Sequence, residues 1–308
     1  MEQARILVAV APAEATWAVN AIRRGGGEPV GLGEKPSGLV WTDPEAVEEL
    51  GDVLRAYPGI SWVQLPMAGI ERVAEAGVLD RRRLWTSAKG AYAEPVAEHA
   101  LALLLAGLRY LPERARARSW GQPAARTLFD QPVTVLGGGG ITIALLRLLE
   151  PFRAQVTVVR RRAEPVAGAV RTVTPSHLDQ ALAGARAVVL TLALTPQSRR
   201  MIGQKELEIM DQQAWLVNVA RGALVDTAAL AGALRSNQIG GAALDVTDPE
   251  PLPTGHPLWD LPNCLITPHT ADTEQMTEPL LAARIAENVR RLAAGHELEG
   301  RVDPDLGY

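Results

Sequence analysis

An arginine, a glutamate and a histidine stand in an order and spacing that could act on a carbonyl group. Arg221 comes first, Glu250 lies 29 residues further on, and His269 follows after another 19. A guanidinium is always charged, and its planar fork suits a carboxylate and can polarise a carbonyl oxygen. An imidazole exchanges a proton near neutral pH, and an adjacent carboxylate orients it and stabilises its protonated form. The three side chains could therefore hold a carboxylate and give a proton to an oxygen that gains charge.

The arginine is predicted at the carboxyl edge of a parallel sheet. Residues 215–226, WLVNVARGALVD, begin as a short apolar run with β-branched residues, the pattern of a buried strand, and resume as a helix at Asp226. Open α/β sheets bind ligands at this edge. Arg221 could instead be a surface arginine paired with any acid, but Gly222 beside it permits close backbone approach, which favours a binding role.

A glycine-rich turn lies between a predicted strand over residues 132–136 and a helix over residues 143–149. In this context the pattern G-x-G-x-x-G binds the pyrophosphate of a dinucleotide. Gly137 supplies the tight turn, and Gly139 lets the backbone approach the pyrophosphate. Thr142 stands in place of the third glycine, which predicts a slight shift in the packing of helix against strand.

Three arginines follow the next predicted strand, residues 155–159. Arg160 lies 21 residues after Gly139, where an enzyme that uses NAD has an acidic residue for the ribose 2′-hydroxyl. No carboxylate stands there, and arginine binds phosphate well. We therefore expect NADP to be preferred, with NAD possible, through Arg160 and Arg161. A solvated basic loop is the alternative, but it does not account for the missing acid.

Two further motifs follow the NVARGALVD segment, namely LDVTDPEPLP at residues 244–253 and TPHTA at residues 267–271. Together the three motifs closely resemble those of the D-isomer-specific 2-hydroxyacid dehydrogenases. That family includes glyoxylate and hydroxypyruvate reductases and phosphoglycerate dehydrogenase. The resemblance extends over most of the chain and is weakest in the first sixty residues.

Alternating strands and helices predict α/β architecture with parallel sheets. The resemblance implies two doubly wound parallel-sheet domains, with a Rossmann cofactor domain inserted in a flavodoxin-like substrate domain. The substrate domain is expected over residues 1–95 and 276–308, and the dinucleotide-binding domain over residues 96–275.

The resemblance also implies roles for individual residues. Arg221 binds and polarises the substrate, His269 is the general acid and base, and Glu250 is its relay partner. Asp245 accepts a hydrogen bond from the nicotinamide carboxamide. The predicted cofactor contacts, with those argued above, are Gly137, Gly139, Gly140, Ile141, Arg160, Arg161, Leu194, Thr195, Val219, Asp245 and Ala271.

A loop after the apolar residues 61–65 is a second substrate-binding candidate. Ala68 and Gly69 have little side chain, so their backbone N–H groups could approach an anion at a helix start. In the resembled family this loop holds the substrate carboxylate, with Leu65 and Met67 facing the substrate side chain. A tight turn that only begins a helix is the alternative. His99, on a strongly apolar helix, is interpreted as a structural histidine.

Composition limits the function classes. The chain has 308 residues, a net charge of −4, 47% hydrophobic and 21% charged residues, as in an ordinary globular protein with no global attraction to nucleic acid or an anionic membrane. The single Cys264 precludes an intrachain disulfide and is predicted to be a buried, inert thiol. No His/Cys/Asp grouping has metal-ligand spacing. We expect a cytoplasmic protein that binds no metal.

The sequence therefore predicts an oxidoreductase that transfers hydride between NADP(H) and a small 2-oxo or D-2-hydroxy acid, such as glyoxylate or hydroxypyruvate. The resemblance implies a homodimer formed through the cofactor domains. An NAD-dependent phosphoglycerate dehydrogenase is one alternative, disfavoured by the arginines at 160–162. A dinucleotide-sensing binding protein, like the transcriptional co-repressors that share this fold, is another. Tight cofactor binding without turnover would favour the sensor.

Overall fold

The computed structural model describes residues 6–304 and divides the chain into two compact units. Unit 1 comprises Met1–Tyr92 with Thr273–Tyr308, and unit 2 comprises Ala93–Asp272. These boundaries differ by three residues from the domain boundaries predicted above. The first five and last four residues of the predicted substrate domain lie outside the described part of the chain.

All twelve strands of the described residues pair in parallel within two sheets. The strands are β1 (Leu7–Ala11), β2 (Glu28–Pro29), β3 (Gly38–Trp41), β4 (Trp62–Gln64), β5 (Leu84–Thr86), β6 (Pro132–Leu136), β7 (Gln155–Val159), β8 (Arg171–Val173), β9 (Ala187–Leu190), β10 (Trp215–Asn218), β11 (Gly241–Leu244) and β12 (Cys264–Ile266). The α-helices are α1 (Thr16–Arg24), α2 (Val47–Ala56), α3 (Glu71–Glu75), α4 (Ala93–Leu108), α5 (Leu111–Arg116), α6 (Gly140–Leu149), α7 (Leu178–Leu182), α8 (Gln204–Ile209), α9 (Thr227–Arg235) and α10 (Glu274–Ala293).

Unit 1 has a five-stranded sheet in the order β2-β1-β3-β4-β5, which is the strand order of flavodoxin. Its last helix, α10, packs on its first, α1. The contact depends on Gly25 at the end of α1, because a Cβ there would lie 2.5 Å from the carbonyl oxygen of Ala286. The carboxyl-terminal segment of the chain thus completes the layer begun by the amino-terminal one.

Unit 2 has a seven-stranded sheet in the order β12-β11-β10-β9-β6-β7-β8. Read from β8, this is the Rossmann order 3-2-1-4-5-6 with one further strand. The order reverses between β6 and β9, and such a switch point is where doubly wound sheets bind nucleotides. The predicted fold class, two parallel-sheet α/β domains with one of the Rossmann type, is confirmed.

The strand that leads to Arg221 is held by a buried tryptophan. All four residues of β10 are buried, as expected for a strand covered on both faces. The indole of Trp215 lies against Gly107 of α4 and Gly241 of β11, where an added Cβ would come within 2.3 Å and 2.5 Å of the ring. The two glycines let helix and neighbouring strand close around the indole, and this fixes the start of β10.

The helices on either side of the predicted site begin at polar or small residues. Asp226 caps α9, its Oδ1 accepting a hydrogen bond from the Ala229 N–H over 3.0 Å, as the sequence predicted. Helix α6 begins at Gly140, three residues before the predicted start at Ile143. The glycine-rich turn is therefore shorter than expected, since its last glycine already belongs to the first helical turn.

Gly222 and Gly232 give a matched test of how tightly the turn after β10 is packed. A Cβ on Gly222 would lie 1.9 Å from the carbonyl carbon and oxygen of Thr247, whereas nothing lies within 4 Å of one on Gly232, inside α9. We expect Gly222→Ala to lower the free energy of unfolding by about 2–3 kcal/mol through overpacking. Gly232→Ala should raise it by up to about 1 kcal/mol through helix propensity. Urea unfolding measures both, and equal midpoints for Gly222→Ala and the unmodified protein would contradict the packing described.

Candidate active site

The turn that carries Arg221 is closed by the side chain of Asn218, the last residue of β10. Asn218 is buried, its Oδ1 accepts from the Ala220 N–H over 3.0 Å, and its Nδ2 donates to the Arg221 carbonyl oxygen over 2.9 Å. The half-buried Arg221 guanidinium donates from Nη1 to the Ala220 carbonyl over 2.7 Å. Arg221 therefore lies at the carboxyl end of β10, as predicted. Sequence reasoning missed Asn218, although an amide side chain at the end of a buried strand was a usable signal.

His269 and Glu250 form the pair that the sequence predicted. His269 Nδ1 lies 2.6 Å from Glu250 Oε1, and the two side chains are 45% and 41% exposed. A carboxylate only accepts hydrogen bonds, so Nδ1 carries a hydrogen in this pair. The pairing leaves Nε2 as the ring nitrogen available to exchange a proton with a substrate.

The imidazole of His269 is presented by a turn that Asp245 holds. His269 has φ of 52°, in the left-handed region that few non-glycine residues adopt. Its N–H donates to the Asp245 carbonyl over 2.9 Å. The Thr270 and Ala271 N–H groups donate to Asp245 Oδ1 and Oδ2 over 3.0 Å and 3.1 Å. Three consecutive amides of the turn are thus bonded to one residue.

The Asp245 carboxylate is buried and ionised. Burial alone would raise its pKa, but hydrogen bonds from His99, Thr267 and Thr270 outweigh that effect and lower the pKa to about 2. Oδ1 accepts from these three groups, and Oδ2 accepts from the Ala271 N–H. A carboxylate has about four lone-pair sites, so Oδ2 has room for one more donor. That geometry fits the carboxamide contact predicted for Asp245.

A second carboxyl, that of Asp272, lies among the same groups and was not singled out in the sequence. Burial raises the pKa of Asp272, the charges of His269 and Arg221 lower it, and that of Asp245 raises it. Arg221 and His269 therefore lie within electrostatic range of one side chain. The sequence signal that could have identified Asp272 is its position three residues after His269, in the same turn.

The glycine-rich turn has the open backbone that a pyrophosphate needs. Gly137 has φ of +123°, and a Cβ there would lie 2.5 Å from Thr191 Oγ1, whereas nothing lies within 4 Å of a Cβ on Gly139. Thr142 is fully buried, with its hydroxyl 2.8 Å from Thr191 Oγ1. Because Thr191 donates to the Leu136 carbonyl, the Thr142 hydroxyl donates to Thr191. The residue in place of the third glycine is thus tied to the β9 loop by a hydrogen bond.

Arg160 lies directly over this turn. A Cβ built on Gly138 would come within 2.9 Å of Arg160 Cδ and 3.1 Å of its Nε, so the side chain crosses the glycine. Arg161 and Arg162 are exposed, and Arg162 Nε lies 3.8 Å from Glu164 Oε1. Of the three arginines that follow β7, Arg160 therefore borders the predicted pyrophosphate site.

The loop after β9 is internally bonded. The Thr195 N–H donates to Ser198 Oγ over 2.8 Å, and the Ser198 N–H donates to Thr195 Oγ1 over 3.2 Å. Leu194 packs against the core of unit 2, and the Val219 side chain is buried. These bonds hold the shape of the loop, and the cofactor contacts assigned to its residues stay predictions.

The loop of residues 67–69, in unit 1, is anchored at its amino-terminal end. The Tyr92 hydroxyl donates to the Pro66 carbonyl over 2.7 Å, and the Ala88 N–H donates to the carbonyl of residue 67 over 2.9 Å. Leu65 is completely buried in the core of unit 1. The expectation that its side chain faces the substrate was wrong, because Leu65 continues the apolar run of β4 into the core.

Cys264 is buried in β12, and burial raises the pKa of its thiol to about 12. The prediction of a buried thiol is confirmed, and the raised pKa disfavours the thiolate, which is the reactive form. Within residues 6–304, no group of three or more His, Cys, Asp or Glu side chains could hold a metal ion. Within the same range, no helix has both the length and the apolar character to cross a membrane.

Comparison with known proteins shows which family the chain belongs to. The family model described as D-isomer specific 2-hydroxyacid dehydrogenase, NAD binding domain, matches residues 99–271. The chain belongs to this family. It is 38% identical to an uncharacterized protein in the proB 3′ region of Corynebacterium melassecola, covering 81% of this chain and 84% of that protein. It is 29% identical to a glycerate dehydrogenase of Methylorubrum extorquens, covering 83% and 87%.

A solved structure is similar over the whole chain. The D-isomer specific 2-hydroxyacid dehydrogenase from Xanthobacter autotrophicus Py2, in complex with NADPH and MES, matches with a TM-score of 0.84 and 28% identity, covering 99% of both chains. The protein is therefore an NAD(P)-dependent oxidoreductase that acts on 2-hydroxy acids.

The ionised state of Asp245 can be tested through the pH dependence of stability. Its pKa of about 2 lies below the ordinary 3.8, so the stability it contributes is present above pH 4 and lost as the pH falls toward 2. That contribution is about 2 kcal/mol at neutral pH. Asp245→Asn should therefore unfold at lower urea concentration than the unmodified protein at pH 7, with the gap narrowing toward pH 3. Asp260→Asn, at an exposed aspartate, should show no gap. A gap for Asp245→Asn that stays constant with pH would contradict the assignment.

Proposed function

We propose that this dehydrogenase is a reductase that prefers NADPH and converts a small 2-oxo acid, such as glyoxylate or hydroxypyruvate, into the D-2-hydroxy acid. The observation that carries the proposal is the His269–Glu250 pair, 2.6 Å apart, in the unit that also holds Arg221 at the end of β10. A paired imidazole near a guanidinium is the arrangement that carbonyl reduction beside a carboxylate requires.

Substrate binding is assigned first to Arg221. Its guanidinium makes charge-assisted hydrogen bonds to the substrate carboxylate and draws electron density from the neighbouring carbonyl oxygen. The hydrogen bond from Asn218 to the Arg221 carbonyl keeps the turn in place. The amides of Ala68 and Gly69 and the side chain of Met67 are proposed to contribute to substrate binding, as in the family.

Proton transfer is assigned to His269. Its Nε2 gives a proton to the carbonyl oxygen as negative charge develops there, and Glu250, held at Nδ1, stabilises the protonated ring before that step. Glu250 keeps the ring in one orientation throughout. For oxidation of a hydroxy acid the same nitrogen accepts the proton.

The residues present fit a nicotinamide dinucleotide. Gly139 leaves open space for a pyrophosphate at the start of α6, and Gly137 permits the tight turn before it. Asp245 Oδ2 has room for one further donor, which suits a carboxamide. The cofactor, when bound, supplies the hydride. The chain orients it through these groups and the loop after β9, where Leu194 and Thr195 lie.

The NADP preference is supported by the position of Arg160. Its side chain crosses Gly138, which belongs to the turn proposed for the pyrophosphate. No acidic residue stands at residues 160–162, where an enzyme that uses NAD has one. A 2′-phosphate carries nearly two negative charges, which a guanidinium binds well. The similar enzyme from Xanthobacter autotrophicus Py2 was crystallised with NADPH.

Assembly as a homodimer through unit 2 is proposed on the resemblance to the family. Trp120 is 97% exposed on the segment after α5, and unit 2 has several other large apolar side chains that are exposed. These residues are Leu111, Phe129, Ile143, Leu148 and Val170. An interface through unit 2 could cover some of these side chains. A cytoplasmic location remains a prediction.

Arg160→Ser tests the activity and the cofactor choice together. NADPH and NADH oxidation is measured separately with glyoxylate, hydroxypyruvate and phenylpyruvate. The unmodified protein should prefer NADPH, and Arg160→Ser should lower kcat/KM for NADPH by about 10–100-fold, the loss of one charge-assisted hydrogen bond. Its kcat/KM for NADH should stay within about threefold. Arg235→Ser, the same change at an exposed arginine of α9, should alter neither.

Other outcomes of this experiment contradict particular parts of the proposal. Equal losses of kcat/KM with NADPH and NADH would mean that Arg160 binds a group that both cofactors have, such as the pyrophosphate. Preference for NADH would contradict the NADP assignment and return the NAD-dependent phosphoglycerate dehydrogenase to consideration. Tight NADPH binding without turnover of any of the three acids would favour a dinucleotide-sensing protein.

A further inference from the structure

A second histidine of unit 2 meets the carboxylate that holds the His269 turn. His99 belongs to α4, which packs against β10 and β11. Its Nε2 lies 3.1 Å from Asp245 Oδ1 and 3.1 Å from Thr267 Oγ1. The His99 side chain is 21% exposed and that of Asp245 is 1% exposed. His99 is interpreted from the sequence as a structural histidine, and these two contacts show which groups it meets.

The neighbours of His99 determine where its hydrogen is. The Thr267 hydroxyl donates to Asp245 Oδ1 over 2.5 Å, so its hydrogen is not available to the imidazole. The Asp245 carboxylate is ionised at neutral pH and can only accept. Nε2 of His99 therefore carries a hydrogen, which it shares between the carboxylate oxygen and the hydroxyl oxygen.

We propose that His99 is a positioning residue, whose Nε2–H orients the Asp245 carboxylate and thereby sets the turn that aims His269 at Glu250. The link is continuous, because Asp245 accepts the N–H groups of all three residues of the 269–271 turn. A left-handed residue such as His269 persists only where its surroundings hold it. The effect on catalysis rests on the proposed function, whereas the effect on the turn rests on these hydrogen bonds.

Two substitutions separate the hydrogen-bond donor from the bulk of the ring. His99→Gln keeps an N–H donor at the same number of bonds from Cα, and His99→Leu keeps an apolar side chain without a donor. His177→Leu makes the same change at an exposed histidine of unit 2 and serves as the control. The readouts are kcat and KM with NADPH and hydroxypyruvate, and the ¹H–¹⁵N amide signals of Thr270 and Ala271.

We expect His99→Leu to lower kcat about 10–100-fold, because a small displacement of a catalytic group, here His269, causes losses in rate of this size. The KM for hydroxypyruvate should change less than about threefold, since the Arg221 turn is closed by the Asn218 side chain, and the Thr270 and Ala271 signals should move. His99→Gln should stay within about threefold of the unmodified kcat and keep those signals near their original positions. His177→Leu should change neither kcat nor the two signals.

Three results would overturn the proposal. One is an unchanged kcat with unmoved amide signals in His99→Leu, and another is an equal loss in the glutamine and leucine variants. The third result needs no variant. It is a set of ring ¹⁵N chemical shifts for His99 in the unmodified protein that place the hydrogen on Nδ1 instead of Nε2. Absence of turnover in the unmodified protein would contradict the proposed function alone, because the amide signals still report whether His99 sets the turn.

Discussion

The buried, ionised carboxylate of Asp245 is the interaction on which the site depends. It stands at the end of β11 and collects donors from helix α4, from Thr267 after β12 and from the turn that follows. A buried charge is stable only when it is paired and hydrogen-bonded, and these donors together outweigh the cost of burying the carboxylate. The same bonds that stabilise the charge hold the backbone that presents His269. The buried charge and the position of His269 thus depend on one carboxylate.

The two carboxylate–imidazole pairs of unit 2 differ in their surroundings, and this gives them different roles. Asp245 is buried and meets His99 deep at the sheet edge, whereas Glu250 and His269 are each nearly half exposed. A buried pair is fixed by its hydrogen bonds, while a pair at the surface can exchange a proton with a ligand. These surroundings fit the roles proposed above, with the inner pair positioning the turn and the outer pair transferring the proton.

The sequence predicted what depends on short-range pattern. Strands β6 and β7 have the predicted bounds, Asp226 caps α9 as expected, and the glycine-rich turn lies between strand and helix. What it could not show depends on contacts between distant segments. His99 and Asp245 are 146 residues apart, and only the packing of α4 on the sheet brings them together. The expectation that Leu65 contacts the substrate was wrong because Leu65 is buried in the core. A continuing apolar run in the sequence does not show where the chain leaves the core.

A double-mutant cycle shows whether His269 and Glu250 act as one catalytic unit. The kcat for reduction of hydroxypyruvate by NADPH is measured for the unmodified protein, Glu250→Gln, His269→Gln and the double variant. We expect each single change to lower kcat at least about 100-fold, and the double variant to be no slower than His269→Gln, because Glu250 acts through the imidazole. Losses that multiply in the double variant would show that the two side chains act independently and would contradict the account.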